Sequence, residues 1–201
     1  MKLYYSPGAC SLAPHIALYE TGANFDAVKV DLGSRKTDAG DDFIAVNRAG
    51  KVPALVLGTG ETLTENPAIL LFIADQNSGA GLSPREGSLG RYQLLSRLSY
   101  LSSELHKAFV PLFTPGTTDD AKAAATVAVK GHLAGLDQEI AGKEYYVGEA
   151  FSVADIYLFV ILGWPAHVGI DMAAYPALGA FAGKIAQRPS VGAALKAEGL
   201  I

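Results

Sequence analysis

The single cysteine of this sequence, Cys10, lies between a predicted strand and a predicted helix. Residues 2–5 are short, aromatic and followed by a Pro-Gly turn, which is typical of a strand that ends in a turn. Apolar residues then recur at helical spacing from Leu12 to Tyr19. A thiol at a helix start faces unpaired N–H groups, which favour its thiolate form. The residues therefore predict a reactive thiol, and the alternative is a buried, inert cysteine.

A second set of polar residues lies further along the chain. Ser99, Ser103 and His106 follow one another at spacings of four and three, which places them on one face of a predicted helix. Such a face is ordinarily the solvent side of a helix. The other three histidines are better explained as satisfied or exposed side chains: His15, His132 and His167.

The elements that would position Cys10 form an α/β pattern in the first part of the chain. Alternation of apolar and polar residues over 28–32 predicts a second strand, so strand, helix and strand form a βαβ unit with parallel pairing. Residues 52–57 and 61–64 flank a Gly-containing turn and predict a hairpin. A helix follows, with Asn66 as its predicted N-cap and Pro67 at its first position.

Only helical patterns follow a linker at 78–87, which is rich in Gly, Ser and Pro. Ser152 and Asp155 form a predicted capping box at the start of a helix that is apolar all round. We therefore predict an α/β domain at 1–77 and an all-helical domain at 88–201.

The composition of the 201-residue chain excludes several classes of protein. Its net charge is −4 and it has no cluster of Lys and Arg, which argues against binding to nucleic acid or to anionic membranes. No apolar run is long enough to span a bilayer, and the N-terminal residues lack the apolar core of a signal peptide. A single cysteine rules out an internal disulfide framework and suits a reducing compartment. We expect a cytoplasmic protein that holds no metal.

Six segments of the chain resemble the bacterial beta-class glutathione S-transferases, in the same order. They are residues 1–12, Asn47-x-x-Gly50-Lys51-Val52-Pro53, Thr64-Glu65-Asn66, Glu104-Leu105-His106-Lys107, residues 151–155 and residues 185–189. The resemblance implies a thioredoxin-like N-terminal domain that binds glutathione and an all-helical C-terminal domain. The residue patterns predict the same division of the chain without it.

The resemblance implies which residues of the first domain hold glutathione. Val52 and Pro53 resemble a cis-proline turn, at which the Val52 N–H and C=O would pair with the peptide backbone of glutathione. The residues by themselves favour a trans proline that begins a strand. Glu65 would bind the γ-glutamyl ammonium and the helix start at Asn66 its carboxylate, whereas Arg35 would bind the glycine carboxylate. Without the resemblance, Asn66 is an ordinary helix cap and Arg35 a solvated loop charge.

The implied glutathione site also includes residues of the helical domain. Its members are Ala9, Cys10, Arg35, Val52, Pro53, Glu65, Asn66, Ser99, Ser103, Glu104, Leu105 and His106.

By the same resemblance, Cys10 and His106 are the catalytic residues, with His106 near the Cys10 sulfur. A glutathione thiolate would attack an electrophilic, apolar co-substrate.

Tyr5 is a rival to Cys10, because other transferase classes activate glutathione with an N-terminal tyrosine. The family forms homodimers, and we expect the helix face of Ser99 and Ser103 to approach the partner subunit. Four aromatic residues could line the co-substrate site or could equally be core: Phe109, Phe113, Tyr157 and Trp164.

Two alternative functions are compatible with the same residues. Ala13 stands where thioredoxin-type redox proteins often carry a second cysteine, so a disulfide of Cys10 must involve an external thiol. A glutathione-dependent thiol–disulfide oxidoreductase is therefore the main alternative to a transferase. A non-catalytic carrier of hydrophobic ligands is the other.

Overall fold

The computed structural model of the protein describes all 201 residues and divides into two compact units. The first unit combines Met1–Ser83 with Gln187–Ile201, and the second comprises Pro84–Ala186. The boundary between Ser83 and Pro84 falls inside the predicted linker at 78–87. The last residues of the chain, however, belong to the first unit and not to the helical domain predicted at 88–201.

The first unit contains a five-stranded mixed sheet. Its strands are β1 (Lys2–Tyr5), β2 (Asp26–Asp31), β3 (Lys36–Thr37), β4 (Ala54–Val56) and β5 (Thr62–Thr64). In the sheet order β3-β2-β1-β4-β5, β1 pairs in parallel with β2, and the other pairs are antiparallel. The predicted βαβ unit and the predicted hairpin are confirmed.

Eight α-helices complete the structure, three in the first unit and five in the second. They are α1 (Leu12–Thr21), α2 (Asn66–Gln76), α3 (Leu89–Tyr100), α4 (His106–Phe113), α5 (Asp119–Ile140), α6 (Val153–Leu162), α7 (Pro176–Ala186) and α8 (Pro189–Ala197). The first unit holds α1, α2 and α8 beside the sheet, and the second is all-helical. The predicted fold class, a thioredoxin-like domain plus an all-helical domain, is confirmed.

Helix α1 is the most enclosed element of the first unit. It packs against both α2 and α8, and its residues from Leu12 to Leu18 are all buried. A helix that is covered on several sides needs apolar residues around its circumference. Gly22 ends it in the left-handed conformation (φ +65°), which glycine adopts without a steric penalty.

Helices α3 and α4 of the second unit are joined by a π-helical segment, Leu101–Leu105. A stripe of buried side chains runs through all three parts: Leu94, Leu98, Leu101, Leu105 and Phe109. The predicted long helix with an apolar stripe is therefore present, with a change of helical winding just before His106.

Helix α6 is the centre of the second unit, as predicted from its apolar sequence. It packs against α3 and α7, and nearly all of its residues are buried. The predicted capping box is confirmed, because the Ser152 hydroxyl accepts from the Ala154 N–H and the Asp155 carboxylate accepts from the Ser152 N–H. Neither α6 nor any other helix of the chain is both long and apolar enough to cross a bilayer.

Candidate active site

Cys10 lies in the turn between β1 and α1, two residues before the helix begins. Gly8, in this turn, adopts the left-handed backbone conformation, with φ +70°. Ser11 ties the turn together, since its hydroxyl oxygen accepts from the Ser6 N–H at 3.1 Å. The Cys10 thiol donates to the backbone carbonyl of Val52, with 3.3 Å between Sγ and O. Two loops that are distant in sequence therefore meet at the sulfur.

The pKa of the Cys10 thiol is raised to about 12, mainly because burial disfavours the thiolate. The backbone N–H groups of Cys10 and Ser11 lower this pKa, as expected at a helix start, but by less than burial raises it. Nearby Glu65 raises it further, and Lys51 opposes that effect. The prediction of a thiol that is readily ionised in the free protein is therefore wrong. At neutral pH the thiol is a hydrogen-bond donor.

The Val52–Pro53 peptide bond is cis. The resemblance implied this geometry, and the trans alternative is wrong. The Val52 carbonyl accepts from the Cys10 thiol, whereas no group of the chain accepts from the Val52 N–H. The resemblance implied that both the N–H and the C=O of Val52 are available to a ligand. In the structure only the N–H is available, because the C=O already accepts from Cys10.

Helix α2 begins one residue earlier than the sequence predicted. Glu65 is its N-cap, in a left-handed conformation (φ +67°), and Asn66 is the first helical residue. A first-turn side chain points back past the helix start, so Asn66 Nδ2 reaches the Cys10 carbonyl at 2.8 Å. The predicted capping by Asn66 is therefore wrong, and its side chain supports the Cys10 turn instead.

Arg35 is an exposed loop residue with φ +59°. Its side chain packs against the backbone of Gly50. The approach is close, because a Cβ atom built onto Gly50 would lie 3.2 Å from Arg35 Nε. Gly50 ends the turn that leads into Val52, so Arg35 lies beside the cis-proline loop. Ala9 belongs to the Cys10 turn, in which its N–H donates to the Ser6 carbonyl. The structure thus brings together all of the predicted site residues that lie in the first unit.

His106, in the second unit, is the first residue of α4 and follows the π-helical segment directly. Its Nδ1 lies 2.8 Å from the Tyr157 hydroxyl. The Trp164 ring packs edge-on against the imidazole, with 4.8 Å between centroids. The catalytic histidine implied by the resemblance is therefore held by two aromatic side chains.

The four residues predicted for the co-substrate site form one aromatic cluster with His106. Phe109, Phe113 and Trp164 lie with ring centroids 5.5–6.2 Å apart. Phe109 and Tyr157 are fully buried, so the core alternative is correct for these two. Phe113 is 49% exposed and is the member of the cluster most accessible to a ligand.

The polar face of Ser99, Ser103 and His106, predicted for the long helix, lies outside the buried stripe, since none of the three residues is buried. Ser99, Ser103 and Glu104 are exposed, and the Ser103 hydroxyl donates to Glu104 Oε1 at 3.3 Å. Leu105 is completely buried and belongs to the apolar stripe, so a ligand cannot reach its side chain.

The surroundings of Tyr5 favour a core-packing role over the activation of glutathione. It is buried, its ring packs on His15 at 5.1 Å, and burial followed by the charge of Glu198 raises its pKa.

Sequence reasoning missed a buried group that supports the Cys10 turn. Glu198, just beyond α8, accepts from the Gly8 N–H at 2.9 Å and pairs with His15 Nδ1 at 2.9 Å. The side chains of His15 and Glu198 have no exposed surface. No local signal could have revealed this pair, because the two residues are 183 positions apart.

Two family models match the chain. The model of the glutathione S-transferase N-terminal domain matches residues 1–75, and that of the C-terminal domain matches residues 100–189. A curated relative, the glutathione S-transferase GstA of Escherichia coli O157:H7, is 40% identical over 200 residues, which cover all of both chains.

Two solved structures match the whole chain, each at complete coverage of both proteins. One is a bacterial beta-class glutathione S-transferase of Sphingomonas chungbukensis, with 73% identity and a TM-score of 0.99. The other is a sphingomonad glutathione S-transferase complexed with glutathione, with 76% identity and a TM-score of 0.98. The similarity therefore extends over both units.

Proposed function

The chain belongs to the glutathione S-transferase family, and from this premise we propose how its residues carry out the transfer. It is a glutathione transferase, and glutathione is its substrate. We propose that the first unit binds glutathione beside Cys10 and that the thiolate of glutathione attacks an apolar electrophile. Exposed Phe113 and its aromatic neighbours in the second unit suit such a co-substrate. A single free cysteine suits the reducing cytoplasm, where we place the enzyme.

The observation that carries this proposal is the backbone N–H of Val52. Val52 is 8% exposed, its N–H has no acceptor within the chain, and its carbonyl accepts from the Cys10 thiol. Buried N–H groups without a partner are rare, and a peptide that adds as a short strand would supply the acceptor. The cysteinyl residue of glutathione, bound in this way, would bring its sulfur to Cys10.

The start of α2 suits the two charges of the γ-glutamyl group. Glu65 is exposed and next to the helix start, so it can pair with the ammonium. The first N–H groups of α2 can bind the carboxylate, because they have no intrahelical acceptors. The left-handed backbone of Glu65 supports this assignment, since strained residues cluster at ligand clamps. Arg35 can bind the glycine carboxylate through two parallel hydrogen bonds.

Cys10 acts in this proposal as a donor and not as a nucleophile. Its raised pKa keeps the thiol protonated at neutral pH. The S–H group now donates to the Val52 carbonyl, and it can donate to the thiolate of glutathione instead. His106 is the second group that we assign to stabilising this thiolate.

The glutathione site is tested by replacing Glu65. We expect Glu65→Ala to weaken glutathione binding by about tenfold or more, because a charged partner of the ammonium is lost. Titration calorimetry measures the Kd. The matched control is Glu61→Ala, which removes an exposed glutamate of the neighbouring hairpin turn and should leave the Kd unchanged. Equal Kd values for both variants and the unmodified protein would remove Glu65 from the site.

A thiol–disulfide oxidoreductase is the second candidate, and the free thiol of Cys10 favours it. Conjugation of a chlorodinitrobenzene acceptor identifies the transferase, whereas a mixed disulfide with oxidised glutathione, seen by mass spectrometry, identifies the oxidoreductase. Cys10→Ala should abolish the disulfide and retain part of the conjugation, in which glutathione supplies the sulfur. Turnover of neither substrate would indicate a carrier.

We also propose a two-fold symmetric homodimer that forms through the exposed face of α3. Leu89 and Tyr92 are 74% and 61% exposed, and they lie on the same face as Ser99 and Ser103. An isologous dimer buries such a patch on both subunits at once. Light scattering at micromolar concentration should give twice the mass of one chain, and Tyr92→Lys should shift it to the mass of one chain.

A further inference from the structure

Tyr157, on α6, contacts His106 directly. The Tyr157 hydroxyl lies 2.8 Å from His106 Nδ1, and the two rings are nearly perpendicular. Tyr157 is only 1% exposed, so its role cannot be to contact a co-substrate. A buried hydroxyl is unfavourable unless it is hydrogen-bonded, and phenylalanine would fill the same space without that requirement. The hydroxyl's bond to His106 Nδ1 is therefore a contact that phenylalanine could not make.

Tyr157 is itself rigidly placed. It lies in the first half of α6, whose start is anchored because Asp155 accepts from the Ser152 N–H and from the Tyr146 N–H, each at 2.7 Å. Trp164 packs on the His106 ring from another side. The imidazole thus contacts the Tyr157 hydroxyl and the Trp164 ring.

The two nitrogens of a neutral imidazole have opposite roles, and the bond at one nitrogen determines the role of the other. If the Tyr157 O–H donates to Nδ1, the ring proton must be on Nε2. We propose that Tyr157 is a positioning residue that acts in this way on His106. It sets the ring orientation and keeps the proton on Nε2, where the ring can donate to a thiolate. This inference rests on the thiolate-stabilising role proposed above for His106.

The test compares Tyr157→Phe with Tyr175→Phe. Tyr175 is also buried in the second unit, and its hydroxyl bonds to the Lys130 carbonyl at 3.4 Å, away from His106. We expect Tyr157→Phe to lower kcat for conjugation about tenfold, as loss of one positioning hydrogen bond predicts, with an unchanged KM for glutathione. Tyr175→Phe should leave both constants unchanged. Equal kcat values for the two variants would overturn the inference.

A spectroscopic measurement gives a readout that does not depend on activity. Two-dimensional 15N–1H NMR of the histidine rings, with His106 assigned by loss of its signals in His106→Gln, reports which nitrogen is protonated. We expect Nε2–H alone in the unmodified protein and a mixture of tautomers in Tyr157→Phe. An unchanged tautomer in Tyr157→Phe would also overturn the inference. If His106→Gln itself retains full kcat, the proposed role of His106 fails, and the NMR result alone decides whether Tyr157 sets the tautomer.

Discussion

The thiol of Cys10 is subject to two opposing electrostatic effects. Backbone N–H groups at the start of α1 stabilise a thiolate, whereas burial and the carboxylate of Glu65 destabilise it. Burial is the larger effect, and the pKa rises to about 12. The raised pKa is the physical reason for the donor role that we propose for this residue.

We expect iodoacetamide to alkylate native Cys10 at least about thirtyfold more slowly than free cysteine at about pH 7.5. The fall in the thiolate fraction outweighs the greater nucleophilicity of a thiolate with a high pKa. The rate should still be rising above about pH 10, because the thiol has not yet ionised there. Mass spectrometry of timed samples measures it, and the urea-unfolded protein, in which Cys10 is the only thiol, is the control. Faster labelling of the native protein than of the unfolded chain would contradict the raised pKa.

The starts of α2 and α6 support residues of the site that we propose. The start of α2 is capped at Glu65, and its first residue, Asn66, supports the Cys10 turn. The start of α6 is fixed by a buried capping box. This helix contains Tyr157, whose hydroxyl contacts His106 Nδ1. Unpaired N–H groups make each helix start a place where side chains, water or ligands can bind.

Replacement of a buried cap should destabilise the protein more than replacement of an exposed one. Ser152 is buried, and its hydroxyl accepts from Ala154 N–H and donates to Asp155 Oδ2 at 2.8 Å. We expect Ser152→Ala to lower the free energy of unfolding by about 2 kcal/mol. The control, Thr118→Ala, removes the exposed cap of α5 and should cost about 1 kcal/mol or less. Urea unfolding measures both, and an equal loss would mean that burial of the cap is unimportant.

The end of the chain returns to the first unit and completes it. Helix α8 packs on α1, and Glu198 then reaches both His15 and the Gly8 N–H of the Cys10 turn. Arg188 and Ser190 add a second link, because both hydrogen-bond to the Glu20 carboxylate. The thioredoxin-like unit is therefore stabilised by residues from both ends of the sequence.

We expect Glu198→Ala to lower the free energy of unfolding by about 3 kcal/mol, since it leaves a buried histidine and a backbone N–H without their acceptor. It should also reduce activity, because the turn that carries Cys10 loses one of its supports. Thermal and urea unfolding, with a conjugation assay, measure the two effects. Glu149→Ala, which removes an exposed glutamate of the second unit, is the control and should change neither. A Glu198→Ala protein as stable as this control would show that the buried pair contributes nothing.

The sequence alone determined the features that depend on neighbouring residues. The βαβ unit, the hairpin, the long helix with its apolar stripe and the capping box at Ser152 all follow from periodicity and turn chemistry within a few positions. The family motifs also predicted that Cys10, Val52-Pro53 and Glu65 lie close together. Only the tertiary structure decided that Cys10 stays protonated, that Asn66 turns to the Cys10 carbonyl and that Tyr157 faces His106. The reason is physical, because burial and hydrogen-bond partners depend on residues far apart in sequence, and local patterns contain no information about them.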